Sequence, residues 1–235
     1  MFKKIVLVFT FFLFFSCGEL QQIVNQLPQE TTTVGNLDIA KGLQEALQFG
    51  IDKQVTKLTA TNGFYKNELV KIVLPEELQK VDKTLRNIGL GKLADEGLKI
   101  LNRAAEDAVS EATPIFIDAV KGISFTDAKS ILLGPDDAAT KYLTQETQTN
   151  LYNKFSPVIN NSFQKVGADK IWKNLITTYN NIPLTNNVNP DLTNYVTQEA
   201  LNGVYTMIAI EEKEIRNKVS SRTTDLLKKV FILQD

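Results

Sequence analysis

From Asp38 onward, apolar residues recur three and four positions apart. Ile39, Leu43, Leu47, Ile51, Val55 and Leu58 form one stripe, the signature of a helix that buries a single face. Asn36 or Asp38 can cap its first turn, and Asn62-Gly63 marks its end. Val70 to Leu74 is a short β-branched stretch, which leaves room for a small hairpin near residues 64–74. Pro75 then stands where a first helical residue belongs. Glu76 and Glu77 suit the positive end of a helix dipole, and this second helix extends to about Asn87.

Gly89-Leu90-Gly91 breaks the chain before a third helix, on which Leu93, Gly97, Leu101, Ala104, Ala105 and Ala108 define an apolar face of small side chains. Such a face lets helices approach closely. Thr113-Pro114 and Thr126-Asp127 open two short helices, the second closed by Gly134-Pro135. Asp136 to Val166 keeps helical spacing through Ala139, Tyr142, Leu143, Leu151, Phe155, Ile159 and Phe163. Pro157 lacks a backbone donor and is expected to bend or divide this segment near Ser156. Trp172, Leu175, Ile176 and Tyr179 share one side of a further helix, and Pro183 to Pro190 is the clearest internal loop. Two last helices cover about Thr197 to Val219 and Thr223 to Leu233. No repeat and no long polar linker interrupts the pattern, so residues 37–235 are expected to form one compact, all-α, multi-helix domain.

The amino terminus has another character. Met1 to Lys4 supplies two lysines and Ile5 to Phe15 is an apolar run, the charged and apolar parts of a secretory signal. At about 11 residues the run falls well short of the roughly 20 that span a bilayer core. It ends in Phe14-Phe15-Ser16-Cys17, which resembles the bacterial lipobox, with Phe14 and Phe15 in place of the usual Leu and small residue. The expected division is a lipoprotein signal peptide over 1–16, a lipidated Cys17 with a polar tether over 17–36, and the helical domain behind it. The alternative is an ordinary signal peptide beside an incidental cysteine. Two or three acyl chains, at about 0.8 kcal/mol per buried methylene, would hold the chain permanently on a membrane. A tether of about 19 residues would let the domain stand roughly 25 Å from the bilayer. Gly18, where an aspartate would retain a lipoprotein inside, points to the outer membrane of the bacterial cell envelope, facing the periplasm.

Composition narrows the chemistry. The 26 Lys and Arg balance 27 Asp and Glu, so no net positive field recruits nucleic acid. No glycine-rich phosphate loop follows a strand, which disfavours nucleotide binding. There is no histidine, and Cys17 is the only cysteine. Ser-His-Asp and Cys-His catalysis, imidazole zinc sites and internal disulfides are therefore excluded. Catalysis would have to use carboxylates, Lys, Tyr, Ser or Thr, or a metal held by oxygen ligands alone. No motif calls for a cofactor, and no metal site is assigned.

Several strings, taken in order, resemble the bacterial domain of unknown function 4197 family. They are Asp38-Ile-Ala-Lys-Gly-Leu-Gln-Glu-Ala-Leu47, Gly89-Leu-Gly-Lys-Leu-Ala-Asp95, Asn102-Arg-Ala-Ala-Glu106, Pro114-Ile-Phe-Ile-Asp-Ala119 and the stretch from Arg222 to Phe231. The resemblance covers about Asp38 to Phe231. It implies an envelope lipoprotein with a helical domain, and it transfers no catalytic residue.

The sharpest candidate site lies on the helix expected from Thr197. At about 100° per residue, Leu201, Val204, Tyr205, Ile208 and Ile215 share one face, Glu212 falls inside it and Glu211 on its edge. A carboxylate there requires a partner, and Arg103, Arg216 and Arg222 are the available guanidinium groups. Two readings follow. In one, Glu211 and Glu212 line a cleft with Glu106 or Asp107 and Arg103 from the Ala-rich helix, as a catalytic acid and base or an oxygen-only metal site. In the other, these charges form structural salt bridges or lie in solvent beyond Ile208. Asp136-Asp137 reads as a cap and dipole partner, with cation binding as the alternative, and Ser220-Ser221 as a helix start. Phe116, Phe125, Phe155, Phe163, Trp172, Tyr179 and Tyr205 are assigned to core faces, with an apolar ligand pocket as the alternative.

The leading expectation is a non-enzymatic, lipid-anchored envelope module. Its partners would be the membrane, through Cys17, and another envelope protein or an apolar ligand. The rivals are a carboxylate-dependent hydrolase of cell-wall or glycan material and a lipid-binding protein. In the native host, radiolabelled palmitate is expected to enter the chain, and Cys17→Ser to abolish labelling. An unlabelled wild-type chain would remove the anchor.

Overall fold

The stripe that begins at Ile39 winds into α1 (Asn36–Thr59) in the computed structural model, which describes residues 35–75, 91–170 and 191–234 with isolated positions between them. Of the signal peptide and tether expected over 1–36, residues 1–34 lie outside the described residues, as do Trp172, Leu175, Ile176, Tyr179 and the Pro183 to Pro190 loop, while Asn36 already belongs to α1. Of the helix expected after Pro75, only isolated positions are described. On α1, Leu43, Ile51 and Leu58 are sealed from solvent, as spacings of two helical turns on one face require. The chain then turns at Asn62, whose φ of 64° is a left-handed conformation that asparagine tolerates better than most residues.

Residues 64–75 form no strand, so the optional hairpin is not made. Side chains take the place of the missing strand in satisfying the backbone. Asn102, on α2 (Gly91–Val109), accepts from the Ile72 amide at 2.8 Å and donates to the Ile72 carbonyl at 2.8 Å. That is the exchange a neighbouring strand residue would make. The Phe64 amide donates to Glu106, and Tyr195 donates to the Val73 carbonyl. The small apolar face of α2 forms as expected through Leu101, Ala104, Ala105 and Ala108, while Gly97 is exposed and outside it.

After α3 (Ala112–Lys121), α4 (Phe125–Leu132) opens on a capping box: the Asp127 amide donates to Ser124 Oγ, and the Ser124 amide donates back to the Asp127 carboxylate. The cap is therefore Ser124, not the expected Thr126-Asp127. α5 (Ala138–Val166) runs unbroken through Pro157. The expected division fails because Leu151, Phe155, Ile159 and Phe163 recur every four residues and are all fully buried, while the proline is exposed. Both halves share one seam. Burying four such side chains at about 1.5–3 kcal/mol each outweighs the roughly 3 kcal/mol cost of an interior proline. Gly167, at φ 68°, closes the helix in the left-handed conformation.

α6 (Leu192–Asn217) begins before the expected Thr197, where the Asp191 carboxylate accepts from the Asn194 amide. It is buried around most of its girth and packs on α1, α2 and α5. α1 in turn meets α2, α3, α4 and α7 (Asp225–Phe231). α1 and α6 are antiparallel: Glu211 bonds Lys53 and Gln54, and a turn later Ile215 shares a cavity with Leu43 and Leu47. α7 clasps the first turn of α1, where Lys229 lies 2.9 Å from Asp38 and holds that carboxyl below its ordinary value. A 3-10 turn over Val219–Ser221 replaces the helix start expected at Ser220-Ser221, and Thr224 caps α7 instead.

The expected all-α architecture holds among the described residues, and no helix there is long and apolar enough to cross a membrane. Phe116, Phe155 and Phe163 lie in the core, where Phe116 meets Tyr205 edge to face at 5.9 Å, and Phe125 is half-buried. Glycine allows close approaches between α1 and α7 and between α6 and the segment after α1. A Cβ at Gly42 would stand 2.5 Å from Val230 Cγ2, and one at Gly203 would stand 2.7 Å from Phe64 Cε1. Gly42→Ala and Gly203→Ala are each expected to cost about 1–3 kcal/mol through overpacking. Gly97→Ala, with open space around it, is expected to add about 0.5–1 kcal/mol. Urea unfolding checks all three signs.

Candidate functional site

The C-terminal third of α6 places two adjacent acids against two different neighbours. Glu212 is held at a junction of helix ends. Its Oε1 accepts from the Ala139 amide at 2.9 Å, and its Oε2 accepts from the Thr140 amide and the Thr140 hydroxyl, each at 2.8 Å. These amides are among the orphan donors at the start of α5. Asp137 occupies the N-cap position but makes no capping bond, and pairs with Lys141 at 3.0 Å instead. Asp136 accepts from Asn217. The capping role expected of Asp136-Asp137 is thus carried by Glu212, from a helix distant in sequence.

Arg216, one turn along α6, completes the arrangement. Its Nε and Nη2 donate to Glu212 at 3.0 and 2.7 Å, its Nη1 donates to the Leu132 carbonyl at 3.0 Å, and Nη2 also reaches the Ile131 carbonyl at 2.8 Å. These carbonyls close α4. A buried ion pair therefore sets its anion on the positive end of α5 and its cation on the negative end of α4, as the helix dipoles favour. Of the three guanidinium groups considered, Arg216 is the partner of Glu212. Arg222 is also buried and donates to the Ile215 and Arg216 carbonyls, closing α6.

Glu211 turns the other way. It accepts from Lys53 Nζ and Gln54 Nε2, both at 2.5 Å, and joins α6 to α1. It is only 3% exposed, so the edge position deduced from the helical wheel became an interior one. Glu106, 2% exposed, accepts from the Phe64 amide and from Arg103 at 3.1 Å, while Arg103 also pairs with Asp107 at 2.9 Å on the surface. Among the described residues, Glu211, Glu212 and Glu106 share no hydrogen-bonding partner. Glu211 and Glu212 do line one cavity with Gly50, Ile208, Arg216 and Phe231; its volume is about 20 Å³, room for about one water molecule. A larger recess of about 580 Å³ lies open between α3 and α5, edged by Asp118, Glu146, Asn150, Asn153 and Lys154.

Burial pushes the Tyr205 phenol above its ordinary pKa, against the opposing effect of its hydrogen bond with Thr147. It stays protonated and serves as a packing and hydrogen-bonding group. Among the described residues, no three His, Cys, Asp or Glu side chains gather into a set that could hold a metal ion. Sequence reasoning missed Asn102 and Gln54, whose buried amides have no signature beyond lying among apolar neighbours.

The family model described as Protein of unknown function (DUF4197) matches residues 33–232. No curated protein and no solved structure matches the chain.

Removing one member of a buried pair strands the other without water. Glu212→Ala and Arg216→Ala are each expected to destabilise the domain by about 3–5 kcal/mol, and the double variant by less than their sum. Glu212→Gln, which keeps the shape and loses the charge, is expected to cost about 1–3 kcal/mol. Additive losses in urea titrations would show that the two side chains act independently.

Proposed function

The chain belongs to the DUF4197 family of proteins of unknown function, and we propose that it is a lipid-anchored bacterial envelope protein whose helical domain works by binding rather than by catalysis. The observation that carries this reading is the use already made of its buried acids. A general acid or base must exchange a proton within reach of a substrate. Glu212 accepts five hydrogen bonds and its side chain is 5% exposed. Glu211 and Glu106 are spent in the same way on Lys53 and Gln54, and on Phe64 and Arg103.

Space supports the same reading. A glycan needs two carboxylates flanking a bond, with the sugar between them, and the cavity that Glu211 and Glu212 share measures about 20 Å³. An apolar ligand needs a pocket of roughly 300–1,000 Å³, and the 580 Å³ recess between α3 and α5 is an open groove in which Ile115, Ala119 and Pro157 lie among Asp118, Glu146, Asn150, Asn153 and Lys154. The anchor rests on Cys17, the lone cysteine at the end of the apolar run.

In a deletion strain of the native host, Glu211→Gln and Glu212→Gln variants that remain folded are expected to restore the envelope phenotype fully, and Cys17→Ser to fail. A folded carboxamide variant that loses function, together with measurable turnover of cell-wall fragments by the wild type, would overturn the binding reading in favour of a hydrolase.

A further inference from the structure

Two cations converge on one ring beside α2. Lys71 Nζ stands 4.8 Å from the centre of the Tyr65 ring and Lys99 Nζ 5.8 Å from it, both within the reach at which an aromatic face attracts an ammonium group. Among the described residues neither lysine has a carboxylate partner, and the Tyr65 hydroxyl has no hydrogen-bond partner. Glu68 and Glu96, each three positions from one of the lysines along the chain, are exposed and pair with neither. Arg103, one turn beyond Lys99, is occupied by Glu106 and Asp107. Buried polar bonds hold the arrangement. Lys99, Asn102 and Glu106 follow one another three and four positions apart, so they share a face of α2. Asn102 fixes the backbone at Ile72, next to Lys71, and Glu106 fixes it at Phe64, next to Tyr65. One helix face therefore supplies one cation and pins the chain beside the other cation and the ring.

We propose that Tyr65, Lys71 and Lys99 bind a phosphate monoester. Two ammonium groups gathered at one ring without a counter-charge repel each other, and an anion between them removes that cost. A phosphate monoester carries about −1.5 to −2 charge at neutral pH and three acceptor oxygens, which two ammonium groups and one hydroxyl answer in charge and in number. A carboxylate, with a single charge, leaves one lysine unmatched. Each ammonium keeps its donors while it rests on a ring, and the lysine stem is flexible, so both can swing onto one anion. Leu69 and Val73, two positions to either side of Lys71, are 66% and 50% exposed, so the phosphate can be a lipid headgroup as well as a small soluble ester. The proposal rests on the binding reading above, to which it gives a ligand class, and it needs no anchor.

The test uses the chain from residue 17 onward with Cys17→Ser, which keeps the compact unit from Gly35 to Asp235 whole. Calorimetric titration with glycerol 3-phosphate is expected to show saturable binding that weakens with added salt. Lys71→Gln and Lys99→Gln, the latter at an exposed position where folding is not at stake, are each expected to weaken binding several-fold. Lys71→Arg is expected to retain it, and Lys154→Gln, on α5, to leave it unchanged. Tighter binding of dihexanoyl phosphatidic acid than of glycerol 3-phosphate, with Leu69→Ser removing the difference, would assign the site to a lipid headgroup; equal affinities would assign it to a soluble ester. No saturable binding of either compound, or binding that survives the Lys71→Gln/Lys99→Gln double variant in full, would overturn the proposal. That failure would leave the binding reading standing, because the envelope phenotype of the carboxamide variants tests it separately.

Discussion

The Glu212–Arg216 pair bears on three helices at once. An ion pair taken out of water loses several kcal/mol of hydration per ion, and a single contact between the two charges does not reliably restore it. Here the remaining valences are filled by backbone groups that had no partner of their own: two amides at the start of α5 and two carbonyls at the end of α4. Leu132 and Ala139, on either side of the exposed passage between the helices, can then be buried against α6 without stranding the polar backbone there. Because the donors and acceptors belong to helix ends, the pair also sets the angle at which α4 hands the chain to α5.

The same device recurs at lower stakes. Asn102 gives the extended segment at Ile72 the hydrogen bonds of an absent strand, Glu106 takes up the Phe64 amide, and Arg222 closes α6. Asn102, Glu106 and Arg222 thus serve backbone groups that have been drawn into the interior. The carboxylates of Glu106, Glu211 and Glu212 are held in place by their hydrogen bonds.

The two axes then acquire a polarity. One end of the α1 and α6 pair holds the turn after Thr59 and the tight packing of Phe64 on Gly203. The other holds the entry from Gly35 and the pairing of Lys229 of α7 with Asp38.

Helical class, the stripe on α1, the seam of α5 and the small face of α2 were all legible in the sequence, because each depends on residues three or four apart that meet on one helix whatever the rest of the chain does. The family was legible for a related reason, since its strings are local. Three-dimensional structure decided everything that joins residues far apart. It settled that Val70 to Leu74 would be paired by Asn102, that the seam would carry α5 through Pro157, and that Glu212 would cap a helix 72 residues away. A helical wheel placed Glu212 on the buried face but could not say what faced it. Whether a buried carboxylate is a reagent or a rivet depends on the groups opposite it, and those are set by packing between helices, which no local spacing records.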